Sequence, residues 1–428
     1  MTEMKKSLAV AVIVLFVGGI YKLGNEGSAS ARPRSAPATP VPGGSRTAIP
    51  DTLGFNVHFL VPSPGELELI RDSGVRWVRM DFNWRGTERK AGVYDFSAYD
   101  AFLAALDQNR LKAVLILDTP NPLYDNGAPP KSDGAVQAFA QWAAAAVSHF
   151  KGRGVLWELW NEPESSAYPI AQRNAYLKLA LATGAAIKAV APNEQFMGPA
   201  TAGAAVAYAV GCLQAGMSKY WTAVSIHPYS ATPEAFLARV PGLTPAVAPL
   251  PLYSSEWGYS TAGGANYDVV ADEQIQAKYL SREFLVNAAG GIGLSIWYDW
   301  KDDGADPTNK QHHFGVVHSD LSPKPAYKAA KTLTSRLDGY VFSKRLSPAR
   351  APNTSGDFVL AFEPVSGSGA TRYVGWTTAP PHNVSIPVPS GRIRQTSHLG
   401  GALPDLTAGM TGLNVQLTDG PIYVEAAK

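Results

Sequence analysis

The chain has 428 residues, of which 46% are hydrophobic and 17% charged, so it can build a large core and is not a disordered protein. Its net charge of +2 gives no electrostatic reason to expect a nucleic-acid partner. The single cysteine, Cys212, cannot form a disulfide within the chain. Composition therefore indicates a globular protein that does not act on nucleic acid.

The first 50 residues have the pattern of an exported protein. Two lysines precede the apolar run 8–20, which is short for a membrane span and typical of a signal-peptide core, and an Ala-x-Ala site ends at Ala31. We expect residues 1–31 to be either a signal peptide or a retained inner-membrane anchor. Residues 32–50 are rich in Pro, Ala, Gly and Ser and predict a flexible linker. Either interpretation puts the body of the protein outside the cytoplasm: in the periplasm, tethered to the membrane facing it, or secreted.

From Thr52 onward, strand patterns alternate with amphipathic helix patterns in eight successive units. Such alternation predicts a parallel sheet, and eight units over roughly 280 residues predict an α/β protein with a (β/α)8 TIM barrel at 51–336. A doubly wound sheet is the competing topology, and we disfavour it because no Gly-rich phosphate loop follows the first strand. The expected strands are TLGFNVHFL, VRWVRMDFNW, LKAVLILD, VLWELWNEP, EQFMGPA, WTAVSIHPYS, PLYSSEWGYS and GIGLSIWYDW.

The last part of the chain has a different pattern. Short β-rich runs, separated by Gly, Pro, Ser and Asn clusters, fill residues 337–428. They predict a small C-terminal antiparallel β-sandwich domain.

The fourth strand ends in VLWELWNEPESS, residues 155–166, which places three carboxylates next to large aromatics. Side chains alternate along a strand, so Glu158, Trp160 and Glu162 are expected on one face, with Glu158 a layer deeper. We interpret Glu158 as a carboxylate held in a polar layer of the barrel. We place Glu162 at the barrel mouth and Glu164 in the following loop, exposed to solvent.

The seventh strand supplies a second carboxylate at the mouth. YSSEWG places Glu256 at the end of that strand, across the barrel from Glu162. Glycoside hydrolysis needs one carboxylic acid that is protonated and one that is ionised, and this pair suits that division of roles.

These motifs resemble those of clan A, the 4/7 retaining glycoside hydrolases, and are most similar to family 39, in particular to its bacterial exopolysaccharide (biofilm) glycosidases. The resemblance covers roughly residues 52–336. It implies that Glu162 is the general acid/base, that Glu256 is the nucleophile, that Asn161 holds the sugar 2-hydroxyl, and that no cofactor or metal is needed. With these roles we expect a raised pKa for Glu162 and a lowered one for Glu256. The resemblance rests on WNEP, SEWG, WVRMDFNWRGTE…GVYDFSAYD, SIHPY and FGVVHSDLSPKPAY.

The same resemblance assigns polar residues around the pair. Arg79, on the second strand, matches an arginine beside the nucleophile, and a guanidinium there favours the ionised carboxylate. On the sixth strand, Tyr229 is expected to hydrogen-bond Glu256, and His227 to line the site near the acid/base.

Aromatic and rim residues complete the expected binding site. Trp297 on the eighth strand matches the tryptophan that floors the catalytic subsite, and His58 on the first strand is a candidate lining residue. Trp257, Trp84 and Trp300 are candidate wall residues or sugar platforms.

The expected function is a monomeric, retaining glycoside hydrolase that cleaves a bacterial exopolysaccharide internally, because the loops after strands one, two, five and six are short and leave an open groove. An exo-acting, β-xylosidase-like enzyme and a non-catalytic polysaccharide-binding protein are the alternatives. A metal-dependent hydrolase would use His58, Asp118, His227 and Glu256, but the first strand reads NVHF and lacks an H-x-H pair.

Overall fold

Eight parallel strands close into a barrel, in sequence order around the ring, with the last strand pairing to the first. The structure, a computed structural model, describes residues 47–165, 167–346, 356–410 and 412–427. The predicted TIM barrel is confirmed. Its strands are β1 (Leu53–Asn56), β2 (Trp77–Asn83), β3 (Lys112–Asp118), β4 (Leu156–Leu159), β5 (Gln195–Ala202), β6 (Ala223–His227), β7 (Leu252–Trp257) and β8 (Ser295–Trp297).

The barrel interior is filled because the strands are apolar on both faces. Along β3, Val114 faces the interior while Ala113 and Leu115 pack outward against the helices. The lower interior is a small cluster of apolar side chains, so it is a packed core and only the upper end is open to chemistry. That cluster consists of Val114, Leu156, Met197, Ala223, Leu294 and Ile296.

Ten helices occur in the described part of the chain. Several begin at a side-chain cap: Ser132 accepts a hydrogen bond from the Ala135 amide at 3.2 Å, and Asp272 accepts one from the Ile275 amide at 2.8 Å. The helices are α1 (Glu66–Asp72), α2 (Trp84–Thr87), α3 (Ser97–Gln108), α4 (Asp133–His149), α5 (Arg173–Val190), α6 (Val206–Gln214), α7 (Pro233–Leu237), α8 (Val240–Val247), α9 (Glu273–Ala289) and α10 (Pro325–Arg336).

The C-terminal strands form a six-stranded antiparallel sheet, in the order β14-β13-β16-β11-β10-β9, and a two-stranded sheet, β12-β15. Apolar residues of both sheets share one core, so the predicted β-sandwich is confirmed. The strands are β9 (Tyr340–Arg345), β10 (Asp357–Pro364), β11 (Arg372–Thr377), β12 (His382–Ile386), β13 (Gly391–Ser397), β14 (Ala402–Ala408), β15 (Leu413–Leu417) and β16 (Ile422–Ala426).

The sandwich is joined to the barrel by apolar and polar contacts. Phe358 and Trp376 belong to the same hydrophobic cluster as the barrel helices. The indole of Trp376 donates to Glu234 of α7 at 2.8 Å, and Arg282 of α9 donates to the same carboxylate at 2.7 Å.

The expected signal peptide or anchor (1–31) and nearly all of the linker (32–50) lie outside the described residues. Among the helices that are described, none has the length and apolar character that a bilayer span requires. The choice between a cleaved and a retained N-terminus stays a prediction.

The end of β4 differs from the sequence prediction. The strand stops at Leu159, and Trp160 and Glu162 both have left-handed backbone angles, with φ of 64° and 43°. Strict alternation past Leu159 is therefore wrong, since a turn directs Glu162 toward the mouth. The loop is fixed by a hydrogen bond of 3.0 Å from the Glu162 amide to the Ala200 carbonyl of β5.

Candidate active site

A polar cavity of about 470 Å³ opens at the C-terminal ends of the strands, where TIM barrels carry their active sites. Side chains come from β1, β2, β5 and β7 and from the segments that follow β1, β4, β6, β7 and β8. The lining residues are Asn56, His58, Arg79, Asp81, Asn161, Glu162, Ala202, Gly203, Tyr229, Glu256, Tyr267, Asp268, Tyr298, Lys310, Gln311 and Phe314.

Arg79 organises the floor of this cavity. Its guanidinium is 1% exposed and all five of its N–H donors are directed at acceptors, the full capacity of an arginine side chain. Burial without partners would be costly, and these contacts compensate for it. Nε bonds Glu158 at 2.7 Å, Nη1 bonds Asn56 at 3.0 Å and Glu256 at 2.8 Å, and Nη2 bonds Asn161 at 2.8 Å and His227 at 3.3 Å.

The contact with Arg79 fixes the tautomer of His227. Because an arginine can only donate, Nε2 of His227 must accept, and its proton must therefore reside on Nδ1. Nδ1 lies 2.9 Å from Oε1 of Glu162 and so donates to that carboxylate. His227 is thus a fully buried neutral donor that orients Glu162 from behind the cavity wall.

The same logic orients Asn161. Its Oδ1 accepts from Arg79, which leaves the NH₂ group as the part that can donate to a sugar hydroxyl in the cavity. This is the donor that the 2-hydroxyl role requires.

Glu162 and Glu256 face each other across the cavity. An oxygen of each lies within 4.8 Å of the other and of a His227 nitrogen. Retaining glycosidases hold their two carboxyl groups about 5–5.5 Å apart, and inverting enzymes about 6.5–9.5 Å apart. Tyr229 donates to Oε1 of Glu256 at 3.1 Å, and Arg79 to Oε2, so both oxygens of Glu256 are held in place.

The expected raised pKa of Glu162 is wrong for this arrangement. Burial acts to raise the pKa of Glu162, but the hydrogen bond from His227 and the charge of Arg79 outweigh it, and the pKa lies below its usual value. The prediction failed because a buried donor, His227, lies next to Glu162, and the sequence does not reveal that contact.

His58 lines the cavity just beyond β1 and belongs to a second hydrogen-bond chain. Asn56 accepts from Arg79 through Oδ1, so its NH₂ donates to Nε2 of His58 at 3.0 Å. His58 then donates from Nδ1 to Asp303, 3.2 Å from Oδ2.

The residues of the metal-dependent alternative do not come together as one set. Within the described ranges, two groups have ligating atoms close enough for an ion, Glu162/His227/Glu256 and His58/Asp299/Asp303, and Asp118 belongs to neither. In both groups, the histidine nitrogen that faces the carboxylates carries a proton, because the other nitrogen accepts from Arg79 or Asn56. A protonated nitrogen has no lone pair to offer, so neither histidine can coordinate a metal ion from the side that faces the carboxylates.

The tryptophan predictions are wrong. Trp297 and Trp257 are 0% exposed and lie outside the cavity lining. Side chains alternate along a strand, so Glu256 toward the mouth puts Trp257 on the opposite face, against Phe236 with ring centroids 5.4 Å apart. Trp84 and Trp300, at 0% and 1% exposed, cannot stack on a sugar either.

Other residues occupy the positions that the tryptophans were expected to fill. Tyr298, directly after β8, lines the cavity in place of Trp297, and Tyr267 lines it with 59% of its surface exposed. Asp81, two residues beyond Arg79 on β2, also faces the cavity. Alternation from Arg79 could have identified Asp81, whereas Tyr267 lies in a loop with no sequence signal.

One wall of the cavity is made by two long loops joined together. Lys310, in the loop after β8, pairs with Asp268, in the loop after β7, at 2.6 Å, and Ser260 donates to the Lys310 carbonyl at 2.7 Å. These bonds make the two loops one continuous wall.

The expectation of a solvated Glu164 is wrong. Both of its carboxylate oxygens are closed off from solvent, and burial raises its pKa to about 7. Its charge acts on Tyr176 of α5 and Tyr208 of α6, both remote from it in sequence.

Comparisons with known proteins agree with this geometry. The family model of cellulase, glycosyl hydrolase family 5, matches residues 53–242, which include β1 to β6. A family 39 glycoside hydrolase from the gut symbiont Bacteroides cellulosilyticus WH2 is similar in structure, with a TM-score of 0.74 and 26% identity over 88% of this chain and 81% of its own.

Two further structures resemble the chain. The family 39 β-xylosidase from Caulobacter crescentus is 18% identical over 90% of this chain and 98% of its own, with a TM-score of 0.65. The family 39 enzyme from Xanthomonas axonopodis pv. citri is 18% identical over 90% and 96%, with a TM-score of 0.64. At that identity they show the fold alone. No curated protein sequence matches the chain.

Proposed function

Because this chain resembles clan A glycoside hydrolases, and family 39 in particular, we propose that it is an O-glycosyl hydrolase that acts by the retaining mechanism, with Glu256 as nucleophile and Glu162 as acid/base. The observation that carries the proposal is the approach of the two carboxylates to within 4.8 Å in one cavity. The distance leaves room for an anomeric carbon but not for a sugar with a water molecule behind it.

In the first step, a carboxylate oxygen of Glu256 attacks the anomeric carbon and the glycosidic bond breaks, while Glu162 gives its proton to the leaving oxygen. A glycosyl ester on Glu256 results. Arg79 and Tyr229 hold both oxygens of Glu256, which limits the motion of the nucleophile. The NH₂ group of Asn161 donates to the 2-hydroxyl.

In the second step, Glu162 takes a proton from water as the water attacks the anomeric carbon and releases Glu256. Since His227 occupies Oε1 of Glu162, the transferred proton uses Oε2. The lowered pKa of Glu162 favours its carboxylate, which suits this second, basic role.

The proposed substrate is a bacterial exopolysaccharide, cleaved internally. Export by the N-terminal segment would bring the enzyme to long polymers. The loops after β5 and β6 are short, and the joined wall after β7 and β8 covers one side of the rim, so a chain can lie along the other. Tyr267 and Tyr298 replace the buried tryptophans as candidate sugar platforms.

An exo-acting enzyme is the second candidate. It is favoured by the structural similarity to the Caulobacter crescentus β-xylosidase and by the wall that closes one side of the cavity. A non-catalytic polysaccharide-binding protein is the third, and the presence of both carboxylates argues against it.

The test is product sizing on the exopolysaccharide of the organism that encodes the chain, with anomeric NMR of the first product. An early ladder of oligosaccharides, a fast loss of viscosity and an unchanged anomeric configuration are expected, and Glu256→Gln should give none of them. Release of monosaccharide alone would establish the exo enzyme. Binding without cleavage by the unsubstituted protein would establish the non-catalytic one.

Cell fractionation tests the proposed location. A C-terminal tag should be found outside the cytoplasm, in the membrane fraction if residues 1–31 are retained and in the soluble periplasm or medium if they are removed. Recovery in the cytoplasm would contradict export.

A further inference from the structure

Glu164 is a buried carboxylate that the proposed mechanism does not use. It lies two residues after Glu162, on a loop held by hydrogen bonds from the Ser165 amide to the Glu162 carbonyl at 3.1 Å and from the Tyr168 amide to the Pro163 carbonyl at 2.7 Å. Neither of its carboxylate oxygens is accessible to solvent or has a well-formed hydrogen bond in the described part of the chain. An unpartnered buried carboxylate is costly, so its position next to the acid/base calls for a reason.

The surroundings of Glu164 connect it to the cavity. The backbone amide of Ala202, a cavity-lining residue, and that of Glu164 itself are directed at its carboxylate, and the charge of Glu162 acts on it from the site. Its own charge acts in turn on Tyr176 of α5 and on two residues of α6, Tyr208 and Cys212.

Among the described residues, no cation forms an ion pair with Glu164. The cation of this neighbourhood is Arg173, at the start of α5, and its Nε is also buried without a hydrogen-bond partner. Glu164 therefore has no ion-pair partner among the described residues, and Glu162 is one of the groups that its charge can influence.

We propose that Glu164 is a positioning residue whose negative charge, enclosed beneath the acid/base loop, increases the protonated fraction of Glu162 at neutral and alkaline pH. The proposal rests on the role of Glu162 as the acid. His227 and Arg79 favour loss of the Glu162 proton, and a second carboxylate opposes them, because two negative charges close together disfavour each other.

The expected effect has a definite pH dependence. The Cα atoms of residues two positions apart lie at most about 7 Å apart. Unit charges at about that distance, at an effective dielectric of about 40–80, shift each other's titration by about 0.5–1 pH unit. Below pH 5 Glu164 is protonated and has no effect on Glu162. Above its pKa of about 7, its charge increases the protonated fraction of Glu162 about 3- to 10-fold.

The first experiment needs no substrate. The full chain, labelled with ¹³C at glutamate carboxyls, is titrated by NMR, and Glu164 is assigned from Glu164→Gln. Coupling is reciprocal, so Glu162→Gln should lower the Glu164 midpoint by about 0.5–1 unit. Glu283→Gln is the matched control, since Glu283 of α9 is also buried with both carboxylate oxygens unpartnered in the described structure, and it should leave that midpoint unchanged. A Glu164 that titrates near 4.5, or that ignores Glu162→Gln, would overturn the proposal.

The second experiment measures initial rates on the host exopolysaccharide from pH 5 to 9. The ratio of wild-type to Glu164→Gln rates should rise from about one at pH 5 to about 3–10 at pH 8.5, and Glu164→Asp, which keeps the charge, should restore most of the difference. For Glu283→Gln the ratio should not depend on pH. If the NMR titration shows coupling between Glu162 and Glu164 but the ratio of wild-type to Glu164→Gln rates does not depend on pH, Glu162 is not the acid. If the NMR titration shows no coupling, the proposed role of Glu164 itself is refuted.

Discussion

At the scale of single residues, the site depends on the polarity of its hydrogen bonds more than on the number of its charges. Arg79 can only donate, and this fixes which atom of Asn56, Asn161 and His227 is available for other work. Glu162 consequently has one oxygen committed to His227 and one for proton transfer. Substitutions that keep size but change polarity should therefore be as harmful as deletions.

Azide rescue separates the roles of the two carboxylates. Glu256→Ala should lower kcat about 10³-fold or more, and added azide should yield a glycosyl azide of inverted anomeric configuration. Glu162→Ala should lower kcat about 10²- to 10⁴-fold, least for substrates with good leaving groups, and azide should yield the retained configuration. Glu68→Ala, on the exposed side of α1, is the control. Exchanged product configurations would reverse the assignment.

The buried carboxyl of Glu164 should make stability depend on pH in an unusual direction. Its folded pKa of about 7 lies above the unfolded value near 4.5, so the native state binds the extra proton between those values and stability falls as pH rises through that window. Glu164→Gln should match wild type at pH 4 and exceed it at pH 8 in urea unfolding. Glu68→Gln should change neither, and a wild-type advantage at pH 8 would contradict this account.

At the scale of elements, β2 and β4 are tied across the barrel by a buried ion pair. Arg79 of β2 is 1% exposed and Glu158 of β4 is 0% exposed, with 2.7 Å between Nε and Oε2. Glu158→Gln removes the fully buried one of the two carboxylates that are paired with the Arg79 guanidinium, and it should cost about 3–5 kcal/mol in the free energy of unfolding.

Urea denaturation of Glu158→Gln checks this value. Asp107→Asn is the matched control, since it removes an exposed pair with Arg153 of 2.6 Å and should leave the midpoint unchanged. A neutral result for Glu158→Gln would mean that water or a rearrangement compensates the arginine.

Sequence patterns predict some of these elements and not others. The order of eight strands and the mouth position of Glu256 follow from periodicity, since β7 stays regular to Trp257. The same periodicity, applied strictly, would have directed Trp257 away from the cavity. The turn at Trp160 could not be predicted, because a tryptophan with positive φ is rare and only the packed structure makes it acceptable. The burial of the Glu164 carboxylate oxygens depends on the packed structure, and no local pattern in the loop indicates it.

At the scale of the whole molecule, the β-sandwich and the barrel share one hydrophobic cluster, which includes Leu360, Trp376 and Tyr423 of the C-terminal strands. The cluster is continued by polar contacts such as Lys278 with Asp419 at 2.8 Å. The sandwich therefore completes the fold of the barrel.

Calorimetry of the full chain should show a single unfolding transition. A chain that ends after Gly339 should not accumulate in a soluble, folded form, because it would expose the side of α9 and α10 that the sheet covers. Asp419→Asn, which removes one rim contact, is the control and should melt as one unit at nearly the wild-type temperature. Two separate transitions would show that the sandwich is an independent module.

All five N–H donors of Arg79 are used within the protein, and this limits which polymers the cavity can bind. Of the described residues that line the cavity, the cations Arg79 and Lys310 are each paired with a carboxylate, while the carboxylate of Asp81 has no side-chain partner. The carboxylate of Asp81 would repel a uronic acid or a sulfated sugar. No unpaired cation among these lining residues would offset the cost of desolvating the anionic sugar. The enzyme should therefore discriminate against polyanionic polysaccharides, and acidic substituents on an otherwise good substrate should protect the neighbouring linkage from cleavage.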